Sequence, residues 1–222
     1  MRPRFGYPRL YILLRREGWH ANRKKVYRLY REEGLLVRTR RRKKSAAHVR
    51  AVPEAPTEPN ERWAMDFVAD RLASGHKIRA LTLIDLHSRE CLAIEVAPAL
   101  RARDVTATLE RVIEQRGRPK IITTDNGTEF TSNHFDAWAY ANGIKIDFIH
   151  PGRPVENGHI ESFNGRLRDE CLSANWFLSL EDARTCIEEW RIDYNHVRPH
   201  SSLGHLPPAT YVASGKRPVT TP

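Results

Sequence analysis

Short apolar runs and helical repeats alternate from residue 62 to about residue 170. Runs rich in Val, Ile, Leu and Thr predict strands, and apolar residues at i, i+3 and i+4 predict helices. The predicted strands are residues 63–68, 78–85, 91–96, 120–124 and 144–149, and the predicted helices are 104–115, about 133–143 and one beginning near 155–157. This order favours the α/β class, with a five-stranded mixed sheet flanked by helices.

Three acidic residues stand out against this pattern. Asp66 lies inside the apolar run 63–68, Asp125 follows the strand 120–124, and Glu161 lies on the helix that begins near 155–157. A carboxylate in a half-buried strand is costly unless its charge is compensated. Two like charges 4 Å apart repel by about 4 kcal/mol at an effective dielectric near 20. The sequence therefore predicts a divalent metal site where the three acids meet.

The helix that carries Glu161 has two different faces. Its apolar face consists of Ile160, Phe163, Leu167 and Cys171, and its polar face of Asn157, Glu161, Asn164 and Arg168. We expect the apolar face to pack on the sheet, and the polar face to present Glu161 to a metal and its other side chains to DNA phosphates. For the polar stripe alone a solvated helix face is the better explanation, because polar outer faces are common, and only the acids at 66 and 125 favour the site.

The turn Asp125-Asn126-Gly127 ends a β-branched strand. Glycine permits a tight turn whose N–H groups can approach a phosphate closely, so we also predict that Asn126 contacts DNA. An ordinary turn is the commoner meaning of Asp-Asn-Gly, and the preceding strand gives this motif its weight.

The first 50 residues hold most of the excess positive charge, in a chain of net charge +10. Apolar spacing predicts helices over residues 8–17 and from Asn22 to Gly34, a pair that resembles a helix-turn-helix. The second helix carries Lys24, Lys25, Arg28 and Arg31 away from its apolar stripe, and a block of six basic residues follows at 38–44. We predict that these four side chains contact DNA. The alternatives are a basic hairpin packed on the main domain and, for the block, a solvated tail.

The chain divides into three predicted parts. Residues 1–45 form the basic DNA-binding segment, residues 46–60 a linker containing Pro53, Pro56 and Pro59, and residues 61–215 the main domain. There is no long apolar stretch for a membrane span and no secretory signal, so we expect a cytoplasmic protein. Three widely spaced cysteines predict reduced thiols rather than disulfides or a zinc site.

Several blocks of the sequence resemble one known family. They are residues 63–67, 85–90, 124–130, 151–172 and 194–204, and residues 4–42 resemble the same family's basic helix-turn-helix segment. The family is that of bacterial insertion-sequence transposases with a retroviral-integrase-type catalytic core, specifically the second-reading-frame (OrfB) products of the group numbered three. Thirty-five residues lie between Asp125 and Glu161, a spacing typical of this Asp-Asp-Glu superfamily.

The resemblance implies a ribonuclease H-like fold in which Asp66, Asp125 and Glu161 are catalytic and bind two Mg²⁺ ions, with Mn²⁺ as a substitute. It also implies cleavage of the DNA at the ends of an insertion sequence, followed by strand transfer. The partners it implies are terminal-repeat and target DNA, further copies of the chain on that DNA, and the upstream-frame (OrfA) product.

Two other functions fit the same residues. One is a non-catalytic, regulatory or truncated DNA-binding fragment, and the other is a ribonuclease H-like nuclease. We reject a zinc site at His196 and His200, because Pro199 interrupts the helix that such a pair needs. We expect these histidines to cap a helix or contact DNA.

Overall fold

The computed structural model describes residues 4–37, 55–149 and 158–215. The basic block at 38–44, Pro53 and Asn157 lie outside these ranges, as does the predicted start of the Glu161 helix. The three-part division of the chain stays a prediction.

Two short helices form the N-terminal hairpin, α1 (Tyr7–Arg16) and α2 (Arg23–Glu32). Both agree with the predicted helices to within two residues, and Asn22 caps α2 by accepting a hydrogen bond from Lys24 N at 2.8 Å. The i, i+3, i+4 spacing of Val26, Leu29 and Tyr30 predicts one apolar stripe; Val26 and Tyr30 are buried, but Leu29 is 43% exposed.

Five strands form the sheet of the main domain: β1 (Arg62–Arg71), β2 (Lys77–Asp85), β3 (Cys91–Ala97), β4 (Ile121–Thr124) and β5 (Lys145–Phe148). Their spatial order is β3-β2-β1-β4-β5. The first three strands pair antiparallel, and β4 and β5 extend the sheet in parallel with β1. The predicted five-stranded mixed sheet is confirmed.

The first strand is longer than predicted. The sequence predicts a turn from Ala69 to His76, but pairing continues from Ala69 opposite Arg79 to Arg71 opposite Lys77. Residues 69–71 remain in the strand because their backbone groups form hydrogen bonds with β2, a pairing that local composition does not predict. The turn therefore begins only at Leu72.

Five further helices flank the sheet: α3 (Ala102–Arg116), α4 (Asn133–Ala141), α5 (Gly158–Glu170), α6 (Leu180–His196) and α7 (Pro208–Ala213). One core packs α5 and α6 against the face of β1 that carries Ala64 and Val68. A second core packs α3 and α4 against the opposite face, which carries Trp63 and Met65. The three cysteines are free thiols, as predicted.

The N-terminal hairpin packs on the C-terminal part of the main domain. Arg9 Nη1 lies 3.3 Å from Glu170 Oε1, and Arg16 donates hydrogen bonds to the carbonyl oxygens of Val197, at 2.7 Å, and His205. The alternative of a packed basic hairpin therefore holds for α1, while DNA contact through α2 stays a prediction.

Candidate active site

Asp66 lies in the middle of β1, half-buried, on the face that packs against α5. Its Oδ1 accepts a hydrogen bond from Phe67 N at 2.7 Å, and its Oδ2 accepts one from Asn164 Nδ2 at 2.8 Å. Asn164 Oδ1 in turn accepts a hydrogen bond from Thr82 Oγ1 at 2.9 Å. One amide from α5 therefore links β1 to β2 and fixes the direction of the Asp66 carboxylate.

The charge of Asp66 is costly in this position. Burial raises the pKa of Asp66 above its ordinary value, and the negative charges of Asp125 and Glu161 raise it further. The hydrogen bonds from Phe67 N and Asn164 oppose these effects because they stabilise the ionised form. Asp125 and Glu161 therefore both lie within electrostatic reach of Asp66.

Asp125 follows the last residue of β4 and is exposed. Since Arg62 pairs with Ile121 and Ala64 with Thr123, the parallel register continues to place residue 125 level with Asp66. Asp125 Oδ1 accepts a hydrogen bond from Gly127 N at 3.0 Å, and a Cβ at Gly127 would lie 3.0 Å from the same oxygen. A Cβ at position 127 would therefore fit only if the Asp125 carboxylate moved by a few tenths of an ångström.

The loop after Asp125 is anchored on the sheet at its far end. The Phe130 ring stacks on Phe67 with centroids 5.1 Å apart, and Glu129 forms an ion pair with Arg79. The Arg79 guanidinium lies 4.0 Å from the centroid of the Phe67 ring. These contacts hold the loop against β1 and β2. Nothing in the sequence pairs residues 79 and 129, so the ion pair was not predicted.

Glu161 lies in the first turn of the described part of α5 and is exposed. Ile160, Phe163 and Leu167 on the same helix are fully buried, which confirms the predicted apolar face. Among residues 4–37, 55–149 and 158–215, no three His, Cys, Asp or Glu side chains converge as a metal cage. Mutual repulsion of like charges favours such separation. The structure thus brings the three acids into one region without closing them into a cage.

The polar residues predicted to contact DNA around this site differ in their surroundings. Arg168 is exposed, and Asn126 is exposed with its Nδ2 3.1 Å from the carbonyl oxygen of Ile149. Asn164 is 8% exposed and its amide is bonded to Asp66 and Thr82. We therefore reassign Asn164 from phosphate contact to positioning of Asp66. The sequence did place it one turn from Glu161, but gave no sign of its partners.

The basic residues predicted on the second helix of the hairpin all lie on its surface. Lys24, Lys25, Arg28 and Arg31 are exposed. Arg28 forms an ion pair with Glu32 at 3.5 Å, an exposed pair that contributes little to stability and leaves the side chain able to change partner.

His200 is buried rather than accessible to DNA. Its Nε2 lies 3.1 Å from the carbonyl oxygen of Tyr194, in the last turn of α6, and its ring stands edge-on to the Tyr194 ring. The capping alternative is therefore correct for His200, and DNA contact is excluded by its burial. His196 lies in the same turn and is exposed.

Three family models match the chain. An HTH-like domain matches residues 1–43, and two integrase core domain models match residues 56–154 and 142–208. An insertion element IS407 protein of Burkholderia multivorans is 46% identical over all of this chain and 80% of its own length. The InsF transposase of insertion sequence IS3A from Escherichia coli is 30% identical over 94% of this chain and 76% of its own length. The chain belongs to the IS3 family of insertion-sequence transposases.

Another relative of this transposase is longer. The chain spans 61% of an insertion element IS476 protein of Xanthomonas euvesicatoria, at 47% identity over 95% of the chain.

None of the helices in the described ranges has the length and apolar character that a bilayer crossing needs.

Solved structures show the same ribonuclease H-like fold. The HTLV-2 integrase catalytic core domain, solved in complex with magnesium, matches with a TM-score of 0.56 and 19% identity over 69% of this chain and 96% of that domain. Integrase in a simian T-cell lymphotropic virus intasome matches with a TM-score of 0.64 and 18% identity over 91% of this chain and 72% of that one. The predicted fold class is confirmed.

Proposed function

We propose that this transposase catalyses metal-dependent cleavage of the ends of its insertion sequence and joins the freed strands to a target. Membership of the family supports DNA transposition in general. The observation that carries the finer proposal is the placement of Asp125, after β4, and Glu161, on α5, within electrostatic reach of Asp66 on β1.

The donor set fits magnesium. Asp66, Asp125 and Glu161 offer carboxylate oxygens, which are the ligands that Mg²⁺ and Mn²⁺ prefer. Burial and the two neighbouring acids raise the pKa of Asp66, and a cation at this position would reverse both effects. We propose these three residues as the ligands of two Mg²⁺ ions, for which Mn²⁺ can substitute. Such a pair, when bound, stabilises the entering and leaving oxygens of an in-line phosphoryl displacement.

The remaining residues of the site orient the three acids. Asn164 and the backbone N–H of Phe67 each hold one oxygen of Asp66, so its carboxylate is fixed before any ligand binds. Gly127 N holds Asp125, and the Arg79–Glu129 ion pair holds the loop that carries it. Preorganised groups of this kind lower the cost of reaching the reactive geometry.

DNA is the proposed partner of both parts of the chain. The proposed contacts to terminal-repeat and target DNA are Lys24, Lys25, Arg28 and Arg31 on α2, Asn126 and Arg168 near the acids, and Asn157, which lies outside the described residues. Two element ends must be held together for joining, so we propose a homo-oligomer on DNA, with the OrfA product as a further partner. The proposed location is the cytoplasm.

The decisive experiment compares Glu161→Gln with the parent on DNA that carries the repeats flanking the gene, in Mg²⁺, with and without the OrfA product. The matched control is Glu114→Gln, an exposed glutamate on α3. Removing an outer partner of a metal ligand costs roughly 10–100-fold in activity, so losing a ligand itself should cost more than about 100-fold. We expect both cleaved and joined strands to disappear while DNA affinity is retained.

Other outcomes would identify the alternatives. Equal cleavage by Glu161→Gln and the parent would refute the assignment of Glu161. Metal-dependent cutting without any joined product would favour a nuclease, and DNA binding without cleavage by the parent would favour a regulatory or truncated copy.

A further inference from the structure

A cleft lies between the N-terminal hairpin and the C-terminal part of the main domain, on the far half of α5 from Glu161. Its volume is about 390 Å³, and its polar lining includes Arg4, Arg9, Arg166, Arg198, Ser201 and His205. We call it the arginine cleft. Glu170, which lies beside the cleft, is nine positions after Glu161 on α5, and this corresponds to about 14 Å along the helix.

Positive charge in the arginine cleft exceeds the negative charge that balances it. The two oxygens of Glu170 accept hydrogen bonds from Arg198 Nε at 2.8 Å and Nη2 at 2.6 Å, and Arg9 Nη1 shares the same carboxylate at 3.3 Å. Arg166, one turn earlier on α5, adds a third guanidinium. Arg198 is 2% exposed and Arg166 is half-buried, so solvent screens this charge only in part.

The surrounding groups respond to this excess charge. Burial is the largest cause that lowers the pKa of Arg9, and the positive charges of Arg198 and Arg166 lower it further. The negative charge of Glu170 opposes these effects. Burial lowers the pKa of His200 to about 3, with additional contributions from Arg198, Arg166 and Arg9, so this imidazole is neutral. In both groups burial is the largest cause of the lowered pKa, and the neighbouring guanidinium charges add to it.

We propose that the arginine cleft binds a phosphodiester group of the DNA backbone, at a site separate from the catalytic acids. Several guanidinium groups around one cavity suit the oxygens of a phosphate, because each can donate two parallel hydrogen bonds. DNA is the expected source of the phosphate, since the cleft lies between the hairpin that carries the basic face of α2 and the helix that carries Glu161. This proposal rests on the proposed function for the identity of the nucleic acid.

A purely structural role for the same arginines makes a different prediction. If they serve only to fix the hairpin to the main domain, their loss lowers stability and leaves the electrostatics of DNA binding unchanged. A phosphate-binding role predicts a smaller salt dependence of DNA binding when Arg166 or Arg4 is lost, and neither forms an ion pair with a carboxylate among the described residues. Arg166 also hydrogen-bonds to the buried Tyr194, so Arg4 separates the two roles more cleanly.

The test measures DNA affinity of the full-length chain against salt concentration, in EDTA, for the parent and for Arg166→Gln and Arg4→Gln. The salt slope is the steepness with which the logarithm of the DNA-binding constant falls with the logarithm of the salt concentration. A variant that neutralises one fewer phosphate should have a salt slope smaller by about 0.9 and should bind about eightfold more weakly at 0.1 M salt. Arg103→Gln is the matched control, because Arg103 is an exposed arginine on α3, away from the cleft. The melting temperature of each variant is measured in parallel. Arg4 is exposed at the rim of the cleft, so Arg4→Gln still tests the proposal if Arg166→Gln proves unstable.

A reduced slope for Arg166→Gln or Arg4→Gln with an unchanged melting temperature supports the proposal. An unchanged slope in both folded variants overturns it. A second experiment measures the melting temperature in inorganic phosphate at matched ionic strength. If phosphate stabilises the parent more than the variants while the salt slopes of DNA binding are equal, the cleft binds the free anion, and DNA is refuted as the source of the phosphate. Because the assay contains no divalent metal, its result is independent of whether Glu161→Gln abolishes cleavage.

Discussion

Replacing the amide of Asn164 with a carboxylate tests the geometry around Asp66 directly. In Asn164→Asp the side chain keeps its shape, but the Nδ2 donor that lies 2.8 Å from Asp66 Oδ2 becomes an oxygen. Two carboxylates would then face each other at a position that is 8% exposed. The variant is expected to fold less stably and to transfer strands poorly, because Asp66 can no longer hold its direction.

The magnitude follows from the distance between the charges. Two like charges about 4 Å apart repel by about 4 kcal/mol at an effective dielectric near 20. For a chain of this size each kcal/mol lowers the melting temperature by about 2–4 °C, so a decrease of roughly 8–16 °C is expected at pH 8.

The expected loss depends on pH. The new carboxyl at position 164 has a pKa in the folded state that burial and Asp66 raise above the value of about 3.9 in the unfolded chain. The folded state therefore binds this proton more tightly. The penalty is absent below the unfolded pKa, grows as the pH rises towards the folded pKa, and is constant above it.

Thermal unfolding in EDTA between pH 4 and pH 8 measures this difference. Asn133→Asp is the control for net charge, since Asn133 is exposed at the start of α4, and it should melt within a few degrees of the parent. Asn164→Ala removes the donor without adding charge and should cost about 1.5–3 kcal/mol. If Asn164→Asp melts like the parent at pH 8, or if its deficit is the same at pH 4, the proposed contact with Asp66 is wrong.

Two further predictions concern the same site. Gly127→Ala would place a Cβ 3.0 Å from Asp125 Oδ1 and 3.4 Å from Phe130, and should reduce strand transfer with a small change in melting temperature. Gly165→Ala is the control, because a Cβ at this helical position meets nothing within 4 Å, and it should stabilise the protein by about 0.5–1 kcal/mol. Equal strand-transfer activity of the two variants would contradict the close approach at Gly127. Asp66→Asn should abolish strand transfer yet raise the melting temperature in EDTA at pH 8. Burial and the neighbouring acids raise the pKa of Asp66, so its charged form destabilises the folded protein above that pKa. A lower melting temperature would show that the hydrogen bonds to the carboxylate outweigh its burial.

The sequence was sufficient to predict the sheet and its helices because strand and helix periodicities are local. The apolar run 63–68 predicted a strand that contains Asp66, and the i, i+3, i+7 spacing of Ile160, Phe163 and Leu167 defined the buried side of α5. The proximity of Asp125 to Asp66 required more than periodicity, since it depends on the parallel register of β1 and β4. Resemblance to the transposase family supplied that pairing in advance.

Contacts between distant parts of the chain were not predictable in this way. Asn164 bonds to residue 66, and Glu170 bonds to Arg9 across 161 positions of sequence. On a polar helix face, an amide that will be buried against a carboxylate looks the same as one that remains in water. The difference arises only when α5 is placed on the sheet, which exchanges solvent for the partners Asp66 and Thr82.

The position of Asp66 within a doubly covered sheet has an evolutionary consequence. Mobile elements accumulate substitutions, and a substitution that removes this acid also removes the burial cost of its charge. We therefore expect inactivated copies to persist as well-folded proteins that retain the hairpin and the arginine cleft. If the hairpin and the cleft bind the DNA ends as proposed, such copies would compete with intact transposase for them, so that decay of one gene restrains the movement of its relatives.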